Sequence, residues 1–102
     1  MTSLSVGWLI AMVKTMLNID DTDMYDDRME ICVRGAISKM ETEGIKNIYD
    51  ESNLTNDAYD YVMCIAYQTA LDFDLISDFN KLYTQYITRA NTLRMKQAAS
   101  GN

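Results

Sequence analysis

Apolar residues in this chain recur at three- and four-residue intervals, the spacing of helices that bury one face. Polar or acidic stretches separate four such segments, and no segment alternates apolar and polar residues as a half-buried strand would. The absence of proline suits long helices. The sequence therefore predicts an all-α fold with one domain over residues 1–102, in which four helices include a long second helix and an apolar central third one.

The first helix is predicted over about Ser5 to Leu17 and the second over about Asp23 to Glu43. Ser3 or Ser5 can cap the first helix. Gly44 follows the second helix and can adopt the left-handed conformation that ends many helices. The second helix has an apolar face opposite a charged one, and the apolar face contains Tyr25, Met29, Cys32, Val33, Ala36, Ile37 and Met40.

Residues 44–55 have no sustained helical period and are predicted to form a loop anchored by Ile45, Ile48 and Leu54. The third helix is predicted from near Asn56 to about Phe73. Its segment 61–67 is apolar on every side, which is typical of a helix packed by neighbours or by other subunits.

The fourth helix is predicted from Asp78 to about Leu93, with Asp74 or Ser77 as its N-cap. Its apolar stripe contains Phe79, Leu82, Tyr83, Tyr86, Ile87, Ala90 and Leu93. Beyond Met95 the sequence offers little to bury, so we expect a flexible tail over about residues 96–102. On this interpretation, truncation after Leu93 costs less than about 1 kcal/mol.

The chain lacks the residues that most catalytic and metal-binding sites require. It has no His, only two Cys and no glycine-rich phosphate loop. Cys32 and Cys64 fall in helical patterns and are expected to be buried, reduced thiols. Carboxylate pairs such as Asp72 and Asp74 could act as acid and base, but so small a helical domain offers little cleft. We therefore predict neither enzymatic activity nor a cofactor.

The acidic stretch over residues 20–30 suggests a calcium site, but no register fits the EF-hand loop. Starting at Asp21, the sixth position is not glycine and the twelfth is Cys32. Helix capping explains the stretch better, because carboxylates stabilise a helix N-terminus. The capping corner is predicted at Asp20, Thr22 and Asp23.

The net charge of −6 argues against general affinity for nucleic acid. Residues 1–78 hold all 15 acidic residues and five of the nine basic ones, whereas residues 79–102 hold four basic and no acidic residues. This asymmetry suggests a separate partner for the C-terminal quarter, although basic residues near a helix C-terminus also simply complement its dipole. Tyr83, Tyr86, Arg89 and Arg94 have the composition of a nucleic-acid strip, but the two tyrosines coincide with the apolar stripe.

No segment reaches about 18 consecutive apolar residues, and Lys14 interrupts the first helix. Neither a membrane-spanning helix nor a secretory signal is predicted, so we expect the protein to be made in the cytoplasm.

The order of these parts resembles the head–tail connector proteins of tailed bacteriophages, also called head-completion or adaptor proteins. The resemblance covers about residues 9–93 and comprises the segment Val13 to Asp20, the acidic joint through Asp27, the long helix from Met29 to Met40, the aromatic-rich helix and the final helix. It places Leu17, Ile19 and Asp20 at the first corner and Asp27 at the start of the second helix. Relatives often have a longer insertion between the second and third helices than residues 44–55 allow.

The resemblance implies a virion protein at the head–tail junction, with no catalytic residues. Copies would form a ring, commonly of twelve, beneath the portal protein and next to a further head-completion or tail protein. DNA would pass through without specific binding, and no membrane is involved. An acidic wall suits such a channel, because it would not retain phosphates. Portal docking is predicted for the basic C-terminal segment, at Arg89, Arg94, Met95 and Lys96.

A different class of function is a small helical regulatory or adaptor module. In one version it binds nucleic acid through Arg89, Arg94 and Lys96. Binding to duplex DNA at low salt distinguishes the two hypotheses, since a regulator of this kind should bind and a connector should not.

Overall fold

Helices form where the apolar period predicts them. The computed structural model describes residues 3–16, 26–73 and 79–99, and contains α1 (Val6–Met16), α2 (Asp26–Thr42), α3 (Asn56–Phe73) and α4 (Phe79–Ala99). No strand occurs within these ranges. α3 packs against the other three helices, and α1 also packs on α2. The all-α prediction and the central position of the third helix are therefore confirmed.

Several predicted features lie outside the described residues. They are the capping corner at Asp20, Thr22 and Asp23, the connection 74–78 with its predicted N-cap, and Leu17 and Tyr25.

Side-chain oxygens cap the N-termini of α1 and α3. Ser5 Oγ accepts a hydrogen bond from the Trp8 amide at 3.2 Å, and Thr55 Oγ1 accepts one from the Ala58 amide at 3.1 Å. In both cases the donor is the third residue of the helix, whose amide has no partner within the helix. Of the two predicted caps for α1, Ser5 is the one used.

Gly44 ends α2 as the sequence predicts. Its φ is 88°, and its amide donates to the Glu41 carbonyl at 3.0 Å while the Ile45 amide donates to the Met40 carbonyl at 2.8 Å. These two bonds form a Schellman motif, which satisfies carbonyls that the last turn leaves without partners. The reversal also places Ile45 in the core, where it is fully buried.

One core joins the four helices. The predicted apolar face of α2 is confirmed at Met29, Val33, Ala36 and Met40, which are all 0% exposed, while Cys32 and Ile37 are partly buried against the core. Cys64 is buried, and both cysteines are free thiols. The remaining fully buried large side chains are Leu9, Val13, Tyr61, Val62, Ile65, Thr69, Tyr86 and Leu93.

The connection between α2 and α3, residues 43–55, is tied to both ends of the described chain. The Asn47 side chain exchanges two hydrogen bonds with the Leu4 backbone, at 3.2 and 2.9 Å. The Gln97 side chain makes the same exchange with the Lys46 backbone, at 2.8 and 2.9 Å. Each side-chain amide thus pairs with the backbone N–H and C=O of one residue, as a neighbouring β-strand would. Of the predicted anchors, Ile45 is buried, while Ile48 and Leu54 are partly buried.

The C-terminal helix differs from the prediction in two ways. It continues past Leu93 to Ala99, where Gln97 is buried and hydrogen-bonded to the connection, and residues 100–102 of the expected tail lie outside the described residues. The apolar stripe is also wider than the surface that covers it. Tyr86, Ala90 and Leu93 are buried, whereas Tyr83 and Ile87 remain 42% and 37% exposed.

Candidate functional site

The basic residues predicted to dock on a portal are engaged within the chain. Arg89 Nη1 lies 2.8 Å from Asp60 Oδ1, and Lys96 Nζ lies 3.0 Å from Asp57 Oδ1. The antiparallel packing of α4 on α3 creates both pairs, since it brings the base-bearing side of one helix beside carboxylates of the other. Residues that the sequence separates into acidic and basic regions therefore meet in the fold.

The pairing changes the electrostatics of the C-terminal segment. The hydrogen bond to Asp57 and its charge raise the pKa of Lys96 above its ordinary value. Arg94 Nη2 donates to Asn91 Oδ1 at 2.8 Å, and its aliphatic stem lies against Gly44. A phosphate would compete with these partners for Arg89 and Lys96, which weakens the case for a nucleic-acid strip.

Met95, the fourth predicted docking residue, lies 71% exposed on the outer side of α4. One line of residues on this side is uncharged over about three turns. We define the α4 seam as the exposed residues Thr84, Thr88, Asn91 and Met95, which follow one another at intervals of four, three and four along the helix. The spacing places all four on one line.

α2 has a second uncharged line on its outer side. We define the α2 seam as the exposed residues Ile31, Gly35, Ser38 and Thr42, which have the same intervals of four, three and four. Ile31 is 71% exposed, and an ideal Cβ added to Gly35 would meet nothing within 4 Å. Nothing within the described fold therefore requires a glycine in the middle of this helix, where it costs about 1 kcal/mol relative to alanine.

A groove of about 710 Å³ lies beside the α2 seam. The N-terminal segment, α2 and the connection form its walls. Its lining mixes apolar residues with both signs of charge and comprises Ser3, Leu4, Val6, Arg34, Ile37, Ser38, Glu41, Lys46 and Asn47. It is widely open and contains no concentration of one charge, so its geometry does not select a class of ligand.

The described residues bring together no arrangement suited to catalysis. No group of three or more Cys, Asp or Glu side chains in residues 3–16, 26–73 and 79–99 could hold a metal ion. Burial raises the pKa of the Cys64 thiol to about 12, the opposite of the shift that activates a nucleophilic thiolate. Burial likewise raises the pKa of Tyr86, whose hydroxyl donates to Glu43 Oε1 at 2.8 Å. None of the described helices is long and apolar enough to span a bilayer.

Comparisons with protein-family models, curated proteins and solved structures found no match for this chain. The candidate site therefore rests on the geometry of the described residues.

The sequence also indicates both seams, through residues that do not belong to the apolar period of the helices. Ile31 falls within the charged face of α2, where a large apolar residue is out of place. Thr84, Thr88 and Thr92 are β-branched residues on the outer side of a helix, where residues with higher helix propensity are usual. These positions lie on uncharged lines of the outer helix faces, whereas the apolar period identifies only the inner faces.

Proposed function

We propose that this chain is a structural subunit of the head–tail junction of a tailed bacteriophage. Copies assemble as a ring beneath the portal protein, complete the head, continue the DNA channel and provide the surface to which the tail attaches. The role requires no catalytic residue and no cofactor.

The exposure of Ile31 and Met95 on two different helices supports this proposal most directly. A subunit of a closed ring meets one neighbour on each side through two different surfaces. In a small acidic domain, exposed apolar residues on two separate uncharged lines suit such a subunit better than a monomeric enzyme or a soluble regulator.

The charge distribution agrees with a conduit for DNA. Exposed carboxylates of α2 include Asp27, Glu30 and Glu41, and the basic residues Arg89 and Lys96 are paired with acids of α3. The same helix also exposes Arg28, Arg34 and Lys39, so repulsion of phosphates would come from the net charge of −6 and not from α2 alone. Two of the three basic residues that the regulatory alternative would use, Arg89 and Lys96, are paired with acids in this way.

Electron microscopy of the purified protein, alone and mixed with portal protein, tests the proposal. We expect mostly monomers or small oligomers at micromolar concentration, and rings at high concentration or on portal. Absence of any ring on portal, or a permanent two-fold dimer with no further assembly, would contradict it. Mixing the protein with duplex DNA at low salt tests the regulatory alternative. We expect the protein not to bind the DNA.

Portal docking by the end of α4 has its own test. Charge reversal at Arg94 and Lys96 should weaken docking, and the loss should be largest at low salt because ionic screening removes it. Reversal of the exposed Lys81, near the other end of α4, is the matched control. Equal docking by the Arg94 and Lys96 variants and the wild type would show that this segment does not contact the portal.

A further inference from the structure

We propose that Asp57 and Asp60 of α3 mask a phosphate-binding surface of α4 and so prevent this chain from holding nucleic acid. The masked surface consists of Arg89 and Lys96, and its ligand would be the phosphate backbone of a nucleic acid. The inference goes beyond the proposed function, because it concerns the single chain and applies whether or not copies form a ring.

α4 by itself has the composition of a helix that binds phosphates. It contains the four bases Lys81, Arg89, Arg94 and Lys96 and no carboxylate, which gives it a formal charge of +4. Exposed threonines lie among the bases, and hydroxyl side chains commonly contact phosphate oxygens. A basic stripe along one helix is typical of a nucleic-acid contact. The neighbouring helix must therefore account for any lack of affinity at this surface.

Arg89 and Lys96 lie on the same side of α4. They are seven residues apart, which is about two turns and about 10 Å along the helix axis. Duplex DNA carries one negative charge per about 1.7 Å of its axis. Without the acids of α3, the two bases could therefore contact separate phosphates of one duplex.

α3 places one carboxylate opposite each of these bases. Asp57 and Asp60 are three residues apart, so they share a side of α3. Arg89 Nη1 lies 2.8 Å from Asp60 Oδ1, and Lys96 Nζ lies 3.0 Å from Asp57 Oδ1. A phosphate would have to displace a carboxylate from each base, and at a distance each pair has no net charge to attract it.

Helix formation alone does not explain where the two acids lie. Asp57 is in the first turn of α3, where a carboxylate complements the helix dipole, but Asp60 lies beyond that turn. The pairs formed with Arg89 and Lys96 join residues 29 and 39 positions apart. Only the packing of α4 on α3 creates them, so the acids are placed with respect to the bases of α4.

Stability is a weak explanation for the same pairs. The side chains of Arg89 and Asp60 are 40% and 30% exposed, and those of Lys96 and Asp57 are 50% and 41% exposed. Ion pairs with this much contact with water contribute little to folding. The exposure also means that an external phosphate could reach both bases once the carboxylates are removed. The larger effect of the pairs is therefore on binding.

DNA binding by the double variant Asp57→Asn/Asp60→Asn tests the proposal, since asparagine keeps the size of aspartate and removes its charge. Fluorescence anisotropy of a labelled duplex at about 20 mM salt should show binding at least about tenfold tighter than that of the wild type. The slope of log affinity against log salt should be steeper by about 2, because two more phosphates are neutralised. Equal binding by the variant and the wild type would overturn the masking.

The matched control is Glu41→Gln/Glu51→Gln, which removes two exposed carboxylates outside the α3–α4 pairs. Each double variant loses two negative charges, so both change the net charge from −6 to −4. Glutamine at position 51 keeps an acceptor for the Ser5 amide. The control should bind DNA no more than about twofold tighter than the wild type. A gain equal to that of Asp57→Asn/Asp60→Asn would show that net charge, and not masking, determines affinity.

Removal of the bases tests which cations bind the phosphates. Adding Arg89→Gln and Lys96→Gln to the Asp57→Asn/Asp60→Asn variant restores the wild-type net charge of −6. This fourfold variant should lose the gained affinity and the gained salt dependence. If the gain persists, the DNA contacts another part of the chain, and the assignment of the surface to Arg89 and Lys96 is wrong.

Thermal unfolding shows whether binding arises from the native fold. The thermal midpoint of Asp57→Asn/Asp60→Asn should lie within about 5 °C of the wild-type value, since half-exposed pairs contribute little to stability. A larger fall would overturn the inference, because the two acids would then be required for folding.

The results also distinguish the masking from the proposed function. Gained DNA binding by Asp57→Asn/Asp60→Asn, together with no rings on portal, would support the masking and contradict the connector role. Rings on portal, together with unchanged DNA binding by the same variant, would support the role and contradict the masking.

Discussion

Gln97 illustrates how one buried polar residue organises this fold. Its side chain is 6% exposed, accepts from the Lys46 amide at 2.8 Å, and donates to the Lys46 carbonyl and to the Tyr49 hydroxyl, both at 2.9 Å. A buried amide is stable only because all of these groups are satisfied. Gln97 thereby holds the last turns of α4 against the connection between α2 and α3.

Gln97→Ala should lower the free energy of unfolding by about 1–3 kcal/mol, because the partly buried backbone of Lys46 loses both partners. Lys96→Ala, one residue away, is the control and should cost less than about 1 kcal/mol, since it removes a half-exposed ion pair. Urea unfolding measures both variants. Truncation after Leu93 should therefore cost more than the 1 kcal/mol expected from sequence. Equal values for the two single variants would contradict the role of Gln97.

Cys64 should make stability depend on alkaline pH. Burial raises the pKa of its thiol from about 9 to about 12, so the unfolded chain releases this proton at lower pH than the folded one. Its contribution to stability is complete below about pH 9 and is lost as the pH rises towards 12. Urea unfolding between about pH 7 and 10 should show a decline that is shallower in Cys64→Ala. Parallel profiles would exclude Cys64 as the source.

At the scale of helices, the end of α2 is determined locally and then used by the tertiary structure. Gly44 adopts a positive φ, which costs little without a Cβ, and so turns the chain to bury Ile45. Glu43 beside it accepts the hydrogen bond of the Tyr86 hydroxyl from α4, and Lys39 Nζ lies 5.2 Å from the centre of the Tyr86 ring. The helix end thus joins α2 to α4.

Gly44→Ala should lower the free energy of unfolding by about 1–2 kcal/mol, because a Cβ disfavours the left-handed conformation. Gly44→Asn should lose less, since asparagine tolerates this conformation better than other residues with side chains. The midpoint of urea unfolding gives the comparison. A loss in Gly44→Asn equal to that in Gly44→Ala would indicate that contact with the Arg94 stem, and not backbone conformation, determines the effect.

At the scale of the whole molecule, the acidic character of the chain raises the question of divalent cations. The part of the chain that the structure describes contains no cluster arranged to hold a metal ion. For the acidic residues 20–30, of which 20–25 lie outside the described residues, the sequence predicts capping and solvation instead of coordination. The molecule should therefore not gain stability from calcium or magnesium.

Millimolar calcium or magnesium should leave the thermal midpoint almost unchanged. A specific site would raise it by mass action, because the ion would bind only the folded chain. Sodium chloride at matched ionic strength is the control for screening. A rise of about 5 °C or more, equivalent to about 1 kcal/mol for a domain of this size, would indicate a specific site.

The sequence by itself determined the features that depend on neighbouring residues. The apolar period predicts four helices, and it places α3 at Asn56–Phe73, as the structure has it. The α2 end at Gly44 and an α1 cap at Ser3 or Ser5 are identified by local hydrogen bonding and backbone conformation, which few nearby residues control. These features follow from sequence because the interactions that create them span only three to five residues.

Only the tertiary structure decided which surfaces are covered and which charges are paired. Arg89 pairs with Asp60 across 29 positions of sequence, and Gln97 reaches Lys46 across 51. The period of a helix shows which side is apolar, but not how wide a surface its neighbours cover. Tyr83 and Ile87 therefore remain exposed, because packing determines which outer faces have no partner within the chain.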